Sequence, residues 1–288
     1  MSIYKHLRFL NENEKEQLKR TLLEIYADIK KVCDKHGLTC MLNNGCCLGA
    51  LLWKGFIPWD DDMDICLTRK DYEKLISVFK QELGDKYDIS SPSCEQESQA
   101  TFTKICKKNT SYFELPVTQA PFPKGIFIDV AALDFVPKNA FVRKLKGKII
   151  YWLSMTSTSM LYYLYPDPLY EQLIFKSKYR KIKYKLRQVY GWFVSLLVSR
   201  KNLIKFIDKF MQHKKDTGLL TEASSLGYYY KKTLTVEDYF PAQEVEFEGI
   251  KVNIMRNPEQ FFKQVYGKIE KFPPEEKRRE HPIVDIKF

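Results

Sequence analysis

No two of the seven cysteines form a CxxC pair, their number is odd, and Cys33, Cys40, Cys46, Cys47, Cys66, Cys94 and Cys106 all lie in or beside apolar runs. That pattern argues against a zinc site and a disulfide framework. It leads us to expect a reducing compartment with the thiols buried as small hydrophobes. An uninterrupted apolar segment is also missing near the N-terminus, where charged and polar groups break up residues 1–15. A secretory leader is therefore not expected, and a cytoplasmic setting is. An uncharged stretch at 149–165 carries Ser154, Thr156, Ser157, Thr158 and Ser159 and is barely long enough to cross hydrocarbon, so we expect a buried or interfacial helix there rather than a span. There is no internal repeat and no low-complexity tract.

What is present is enough to build a large core. The chain has 288 residues, 44% hydrophobic and 14% aromatic, which allows one large domain or two small ones. Its formal charge of +11 is placed unevenly: residues 138–216 hold eighteen Lys and Arg against four acids, an excess of +14 that leaves the remainder near −3. A basic segment joined to a mildly acidic body would attract anionic lipid, a pyrophosphate-linked substrate or nucleic acid. A solvated helical face accounts equally well for any single charge run. Within this segment, Lys176 to Arg187 interleaves its cations with Tyr179, Ile182, Tyr184 and Leu186, a pattern suited to peripheral contact with the inner face of the cytoplasmic membrane.

Periodicity predicts a first helix over residues 13–36, ended by His36-Gly37, and a short strand over 38–42. The Asn43-Asn44-Gly45 turn then leads into a short helix that stops at Lys54-Gly55. Alternation predicts a strand over 62–67. Thr68 with Asp71 forms a capping box that opens a helix over 71–83. Strands are also expected at 101–106 and 125–131, the second central and buried apart from Asp129. Residues 140–213 read as helical, with breaks at Pro166-Asp167-Pro168 and at Gly191. A hairpin around Glu248-Gly249 and a last helix from Asn257-Pro258-Glu259 return the chain to a mixed sheet. The expected organisation is an α/β (α+β) core in two pieces, residues 1–137 and 218–288, separated by a basic aromatic helical insertion at 138–217.

The most informative run is Ile57-Pro58-Trp59-Asp60-Asp61-Asp62-Met63-Asp64-Ile65. Alternation places Asp60, Asp62 and Asp64 on one face, where three close carboxylates repel one another unless a cation sits among them. A hard divalent ion such as Mg²⁺ or Mn²⁺ takes carboxylate oxygens and leaves positions open for substrate phosphates. An acid-rich turn in water is the competing account. A calcium loop is disfavoured, because Ile65 stands where its sharp turn needs glycine and Asp71 where it needs a closing glutamate. Asp129 lies inside an apolar strand, where a charge is costly unless paired or metal-bound. If its strand neighbours that of Asp62 and Asp64, Asp129 joins them as metal ligand or as general base. A buried carboxylate held by backbone amides or an arginine remains the alternative. The Asn43-Asn44-Gly45-Cys46 turn offers backbone N–H groups to an anion, and Lys54 at the far end of its helix is a further donor-binding candidate.

Leu48-Gly49-Ala50, the run from Lys54-Gly55-Phe56 through Ile65, and Arg69-Lys70-Asp71-Tyr72-Glu73-Lys74 together resemble the hallmark segment of the LicD family. The likeness continues through Gly125-Ile126-Phe127-Ile128-Asp129-Val130, Leu133-Asp134, Phe247-Glu248-Gly249, Tyr266-Gly267 and Phe272-Pro273-Pro274-Glu275-Glu276-Lys277-Arg278. It implies a nucleotidyltransferase-like fold and transfer of phosphocholine or a related alcohol phosphate from a CDP-alcohol donor to a cell-surface glycan acceptor. That glycan would be lipopolysaccharide, teichoic acid or capsule, lipid-linked in some cases. By the same resemblance Asp62 and Asp64 bind Mg²⁺, Asp60 supports them and Asp129 completes the cluster; for residues 275–279 a phosphate contact competes with a solvated helix end, the more usual fate of such charges. Two departures stand out: Asn43-Asn44-Gly45-Cys46 replaces the family's usual Asp-Gly-Gly-Thr, and Leu52-Trp53 replaces an Arg-His pair. They leave open two rivals, a nucleotidyltransferase releasing pyrophosphate and an inactive relative that binds lipid-linked glycan. Nucleic acid is not expected as a partner, for no recognised module accompanies the charge.

Overall fold

A computed structural model of the chain describes residues 7–224, 229, 231–267, 271–272, 274, 278 and 281–288. Helix α1 (Glu12–Lys35) opens on a capping box in which Asn11 accepts from the Glu14 amide and Glu14 accepts from the Asn11 amide. One face buries Leu18, Leu22, Ile25, Ile29 and Val32, and the chain turns away at Gly37, whose φ is +65°. There follow β1 (Met41–Leu42), α2 (Asn44–Trp53), β2 (Asp64–Thr68), α3 (Arg69–Glu82), β3 (Tyr87–Ser90), β4 (Thr103–Lys107), β5 (Ser111–Tyr112) and β6 (Phe127–Phe135). Four helices come next: α4 (Ala140–Leu164), α5 (Pro168–Ile174), α6 (Lys178–Ser195) and α7 (Arg200–Met211). The chain closes with β7 (Leu219–Glu222), β8 (Leu234–Thr235), α8 (Val236–Tyr239), β9 (Gln243–Phe247), β10 (Ile250–Ile254), α9 (Pro258–Tyr266) and β11 (Ile286–Lys287).

The main sheet is mixed and has seven strands, in the order β1-β2-β6-β4-β3, with β7 also paired to β6 and β8 to β7. Strand β6 is the centre, as its nearly all-apolar sequence predicts. It is long enough to pair with parallel β2 along one edge and with antiparallel β4 and then β7 along the other. Around it one large core joins α1, α3 and the C-terminal elements, with Ile65, Leu67, Ile128 and Val130 at most 1% exposed. A second core, including Val136, Ile150, Leu203 and Ile207, roots α4 and α7 on the end of the sheet.

Several expected boundaries move for identifiable reasons. The first strand shrinks to Met41–Leu42, and β2 starts only at Asp64, because a turn closed by the Asp60 amide on the Ile57 carbonyl (2.9 Å) holds the preceding acids in a loop. Thr68 does cap α3, accepting from the Asp71 amide, but the helix begins at Arg69. The Asp71 carboxylate accepts from the Thr39 amide (3.2 Å) instead of closing a box. At the end of α2 it is Lys54 that takes the left-handed conformation (φ 54°), while a Cβ on Gly55 would collide with the Glu248 carboxylate. The hairpin turn falls at Glu248-Gly249 as expected, both at positive φ.

Gly191 breaks nothing: it lies inside α6, where its missing side chain lets that helix meet the Ser159 carbonyl of α4. Gly191→Val would force backbone atoms apart at this crossing and is expected to cost about 1–3 kcal/mol. A urea midpoint equal to that of the parent protein would show that the two helices are not in contact there.

Candidate active site

Register places the carboxylates together. On the parallel pair, Asp64 of β2 is the direct partner of Asp129 of β6, and the Asp129 amide donates to the Met63 carbonyl at 3.0 Å. Across the other edge of β6, Asp129 is the partner of Lys104 on β4. Partners in register share a face, so Asp64, Asp129 and Lys104 form one row over three strands. Lys104 Nζ lies 3.3 Å from Asp129 Oδ1 and 3.2 Å from Glu114 Oε2, over the face of the Phe127 ring. Burial works against its charge, yet Asp129 and Glu114 overcome it and hold its pKa above the usual lysine range.

The asparagine turn closes the β2 side of this row. Asn44 Nδ2 donates to Asp64 Oδ2 (3.1 Å) and to Glu222 Oε2 (3.3 Å), and Asn43, 2% exposed, donates to the same Glu222 oxygen at 2.8 Å. Lys232 Nζ in turn donates to Asn44 Oδ1 at 3.1 Å. The first turn of α2 also meets Asp60, for a Cβ on Gly45 would stand 2.5 Å from its carboxylate. Cys46 donates to the Asp62 carbonyl (3.6 Å), and burial, then Asp60 and its neighbours, keep it a protonated thiol. On the opposite side an open pocket is lined by Asp61, Asp62, Tyr112, Glu114, Asp129 and His281, among others. The His281 ring nitrogen Nδ1 sits 2.7 Å from Asp61 Oδ1. That bond, opposed by burial and reinforced by the nearby acids, pushes the imidazole up to about 9, so it is cationic at neutral pH.

The acids strain against one another. Burial first, then neighbouring carboxylates, raise Asp60 and Asp64 well above the usual range. Asp62 is raised by burial against the pull of His281, and Asp129 is pushed up to about 7 by burial against the pull of Lys104. Asp129 Oδ1 is buried and makes no hydrogen bond, its contact with Lys104 being an ion pair of poor hydrogen-bond geometry. Among the described residues no three His, Cys, Asp or Glu side chains are already drawn to one point as coordinating ligands are. The donor chemistry nevertheless fits a hard divalent cation: oxygen donors only, mutually repelling, with one oxygen lacking a hydrogen bond.

Of the residues expected from the sequence, Asn43, Asn44, Gly45, Cys46, Asp60, Asp62, Asp64 and Asp129 meet at this place. Lys54 does not join them: it stands at the opposite end of α2 and pairs with Glu246 on the exposed hairpin (3.3 Å). Residues 275–277 and 279 of the expected closing phosphate contact lie outside the described residues. Arg278 sits over the Trp59 ring at 4.9 Å. Trp53, where the family places histidine, packs edge-on against Trp59 and Phe272. Sequence reasoning missed Lys104, Glu222, Lys232 and His281. Their local signals point elsewhere: a lysine in an alternating strand reads as solvent-facing, and an acid after Leu219-Leu220-Thr221 as a strand end.

The site is thus a mixed sheet with carboxylates on two parallel neighbours and an asparagine-glycine turn opening a helix beside them. Residues 37–144 match the family model described as LicD/FKTN/FKRP, nucleotidyltransferase domain. Over 264 residues, 88% of this chain and 89% of its relative, the sequence is 27% identical to the lipopolysaccharide cholinephosphotransferase LicD of Haemophilus influenzae. Residues 37–144 thus carry a LicD-family nucleotidyltransferase domain, and the likeness to a LicD cholinephosphotransferase extends over most of the chain.

Proposed function

We propose that the protein transfers phosphocholine from CDP-choline to a hydroxyl of a cell-surface glycan, releasing CMP, with Mg²⁺ or Mn²⁺ as cofactor, in the cytoplasm. The observation that carries this reading is the register match of Asp64 with Asp129, two residues after Asp62 on the same run. In this account Asp62 and Asp64 hold the ion, with Asp60 behind them. The ion supplies charge neutralisation at the donor's diphosphate. Lys104, Lys232 and His281 surround the same acids and take up the remaining negative charge as the bond to CMP breaks. Asp129, pushed up to about 7, suits proton abstraction from the acceptor hydroxyl near neutral pH. The relative's printed activity supports choline among the alcohol phosphates and lipopolysaccharide among the acceptors.

Incubation with labelled CDP-choline, Mg²⁺ and cell-envelope glycan is expected to label the glycan and release CMP, and EDTA should abolish both. Pyrophosphate release from a nucleoside triphosphate would favour nucleotidyl transfer instead. Absence of labelling with choline, ribitol and glycerol donors alike would sink the reading.

A further inference from the structure

Helix α6 has two apolar faces, and only one of them is used inside the protein. Tyr184 and Gly191 are buried, with Gly191 against α4. On the other side Ile182, Leu186, Val189 and Phe193 stand 51%, 65%, 61% and 54% exposed. Their spacing of four, three and four residues makes one continuous stripe. At about 100° per residue, Lys178 and Lys185 fall along one border of that stripe and Lys183 along the other. Helix α4 repeats the arrangement over its first half, where Phe141, Leu145 and Trp152 are exposed beside Lys144 and Lys148. Of the twenty-three exposed large hydrophobic residues in the described structure, eighteen lie between Phe141 and Phe206. A patch of this kind on a folded protein marks a docking surface.

The charge around it selects the occupant. Neither α4 nor α6 contains a single Asp or Glu, and the segment around them carries the +14 excess. A second copy would bring the same positive field and be repelled. No described helix is long and apolar enough to cross a membrane. An apolar stripe bordered by lysines and accompanied by Tyr179 and Trp192 matches a helix lying in the plane of an anionic bilayer surface. We propose that the outward faces of α4 and α6 seat the protein on such a surface, with their apolar side chains at the headgroup boundary and their lysines on the headgroups.

This deepens the functional reading, and rests on it only for what the surface delivers: a lipid-linked acceptor. The acidic pocket adjoins a groove that reaches the C-terminal end of α4. Tyr112, Glu114 and Phe127 line both the acidic pocket and an adjoining groove, which runs on to Val117, Thr118 and Phe122. There Phe122 packs on Leu161 of α4, and Thr118 donates to Asp167 between α4 and α5.

The full chain should sediment with vesicles of phosphatidylcholine containing phosphatidylglycerol, with a blue shift of tryptophan emission, and much less with phosphatidylcholine alone. The triple variant Ile182→Asp, Leu186→Asp, Phe193→Asp is expected to partition about 100-fold more weakly. Its circular dichroism and melting should be unchanged, because these side chains are exposed. Lys178→Gln with Lys183→Gln should weaken only the anionic component, roughly 25-fold. Wild-type protein remaining in the supernatant with anionic vesicles would overturn the proposal. So would a triple variant that binds vesicles fully while a parent dimer becomes a monomer, which would make the face an interface between copies. CMP release with a delipidated glycan acceptor reports on the enzymatic reading separately: vesicle binding without transfer would leave the surface intact and remove the activity.

Discussion

Asp64→Asn is expected to lower turnover with CDP-choline about a thousandfold, a loss of ~4 kcal/mol of transition-state stabilisation, while raising the melting temperature of the metal-free protein. The two effects have one cause. Asparagine keeps the shape of the side chain and can still accept from Asn44 Nδ2, now 3.1 Å from Asp64 Oδ2. What it removes is a charge that burial, then Asp62, Asp129 and Glu222, make costly in the folded state. Because that carboxyl's folded pKa is raised, the folded chain binds more protons than the unfolded one above the ordinary aspartate value. Its contribution to stability therefore falls as pH rises from about 4 toward the raised pKa. At pH 8 in EDTA the variant should thus melt higher, by about 2–4 °C for each ~1 kcal/mol relieved. Added Mg²⁺ should raise the melting temperature of the parent protein and leave that of the variant nearly unmoved. Full turnover in the variant, or a metal-free melting temperature below that of the parent, would contradict a carboxylate cluster built around a cation.

Parts of this site could be read from the chain because their signals are local. Asp129 stood out as a single charge in an apolar strand, and the acids of residues 60–64 as a run that no solvated turn explains well. Glu222 could not be found this way, since β7 reaches β6 only after four intervening helices, and its partnership with Asn43 and Asn44 is a matter of tertiary register. Lys104 was hidden by its own charge: a lysine in an alternating strand marks its face as solvent, whereas here Asp129 and Glu114 compensate it under burial. The asparagine turn, where the sequence departs from the LicD pattern, also looks different in place. Asn43, which stands in place of the carboxylate, donates to Glu222, and Asn44, in place of a glycine, bridges Asp64, Glu222 and Lys232. Gly191 follows a related logic: a glycine in a helical pattern signals a break unless the helix packed against it is known.

The second large effect is structural and falls on Arg69, in the hallmark run after β2. Its guanidinium holds Asp134 of β6 through two bonds, Nε to Oδ1 at 2.8 Å and Nη2 to Oδ2 at 2.6 Å, and holds Asp208 of α7 through Nη1 at 2.9 Å. Both carboxylates are buried, 1% and 7% exposed, so one side chain at the start of α3 neutralises an acid of the sheet and an acid of the helical segment. Arg69→Met is expected to destabilise the protein by about 3–5 kcal/mol in urea unfolding, since it leaves two buried carboxylates without their ion-pair partner. Arg69→Lys should recover only part of the loss, because a lysine cannot reproduce the two-pronged contact with Asp134. The triple change Arg69→Met, Asp134→Leu, Asp208→Leu removes the charges together and should regain most of the stability that Arg69→Met loses. If Arg69→Met unfolded at the parent's midpoint but abolished transfer, the clamp would be wrong and the arginine would belong to the chemistry. If the triple change were no better than the single one, the cost would lie in packing, not in stranded charge.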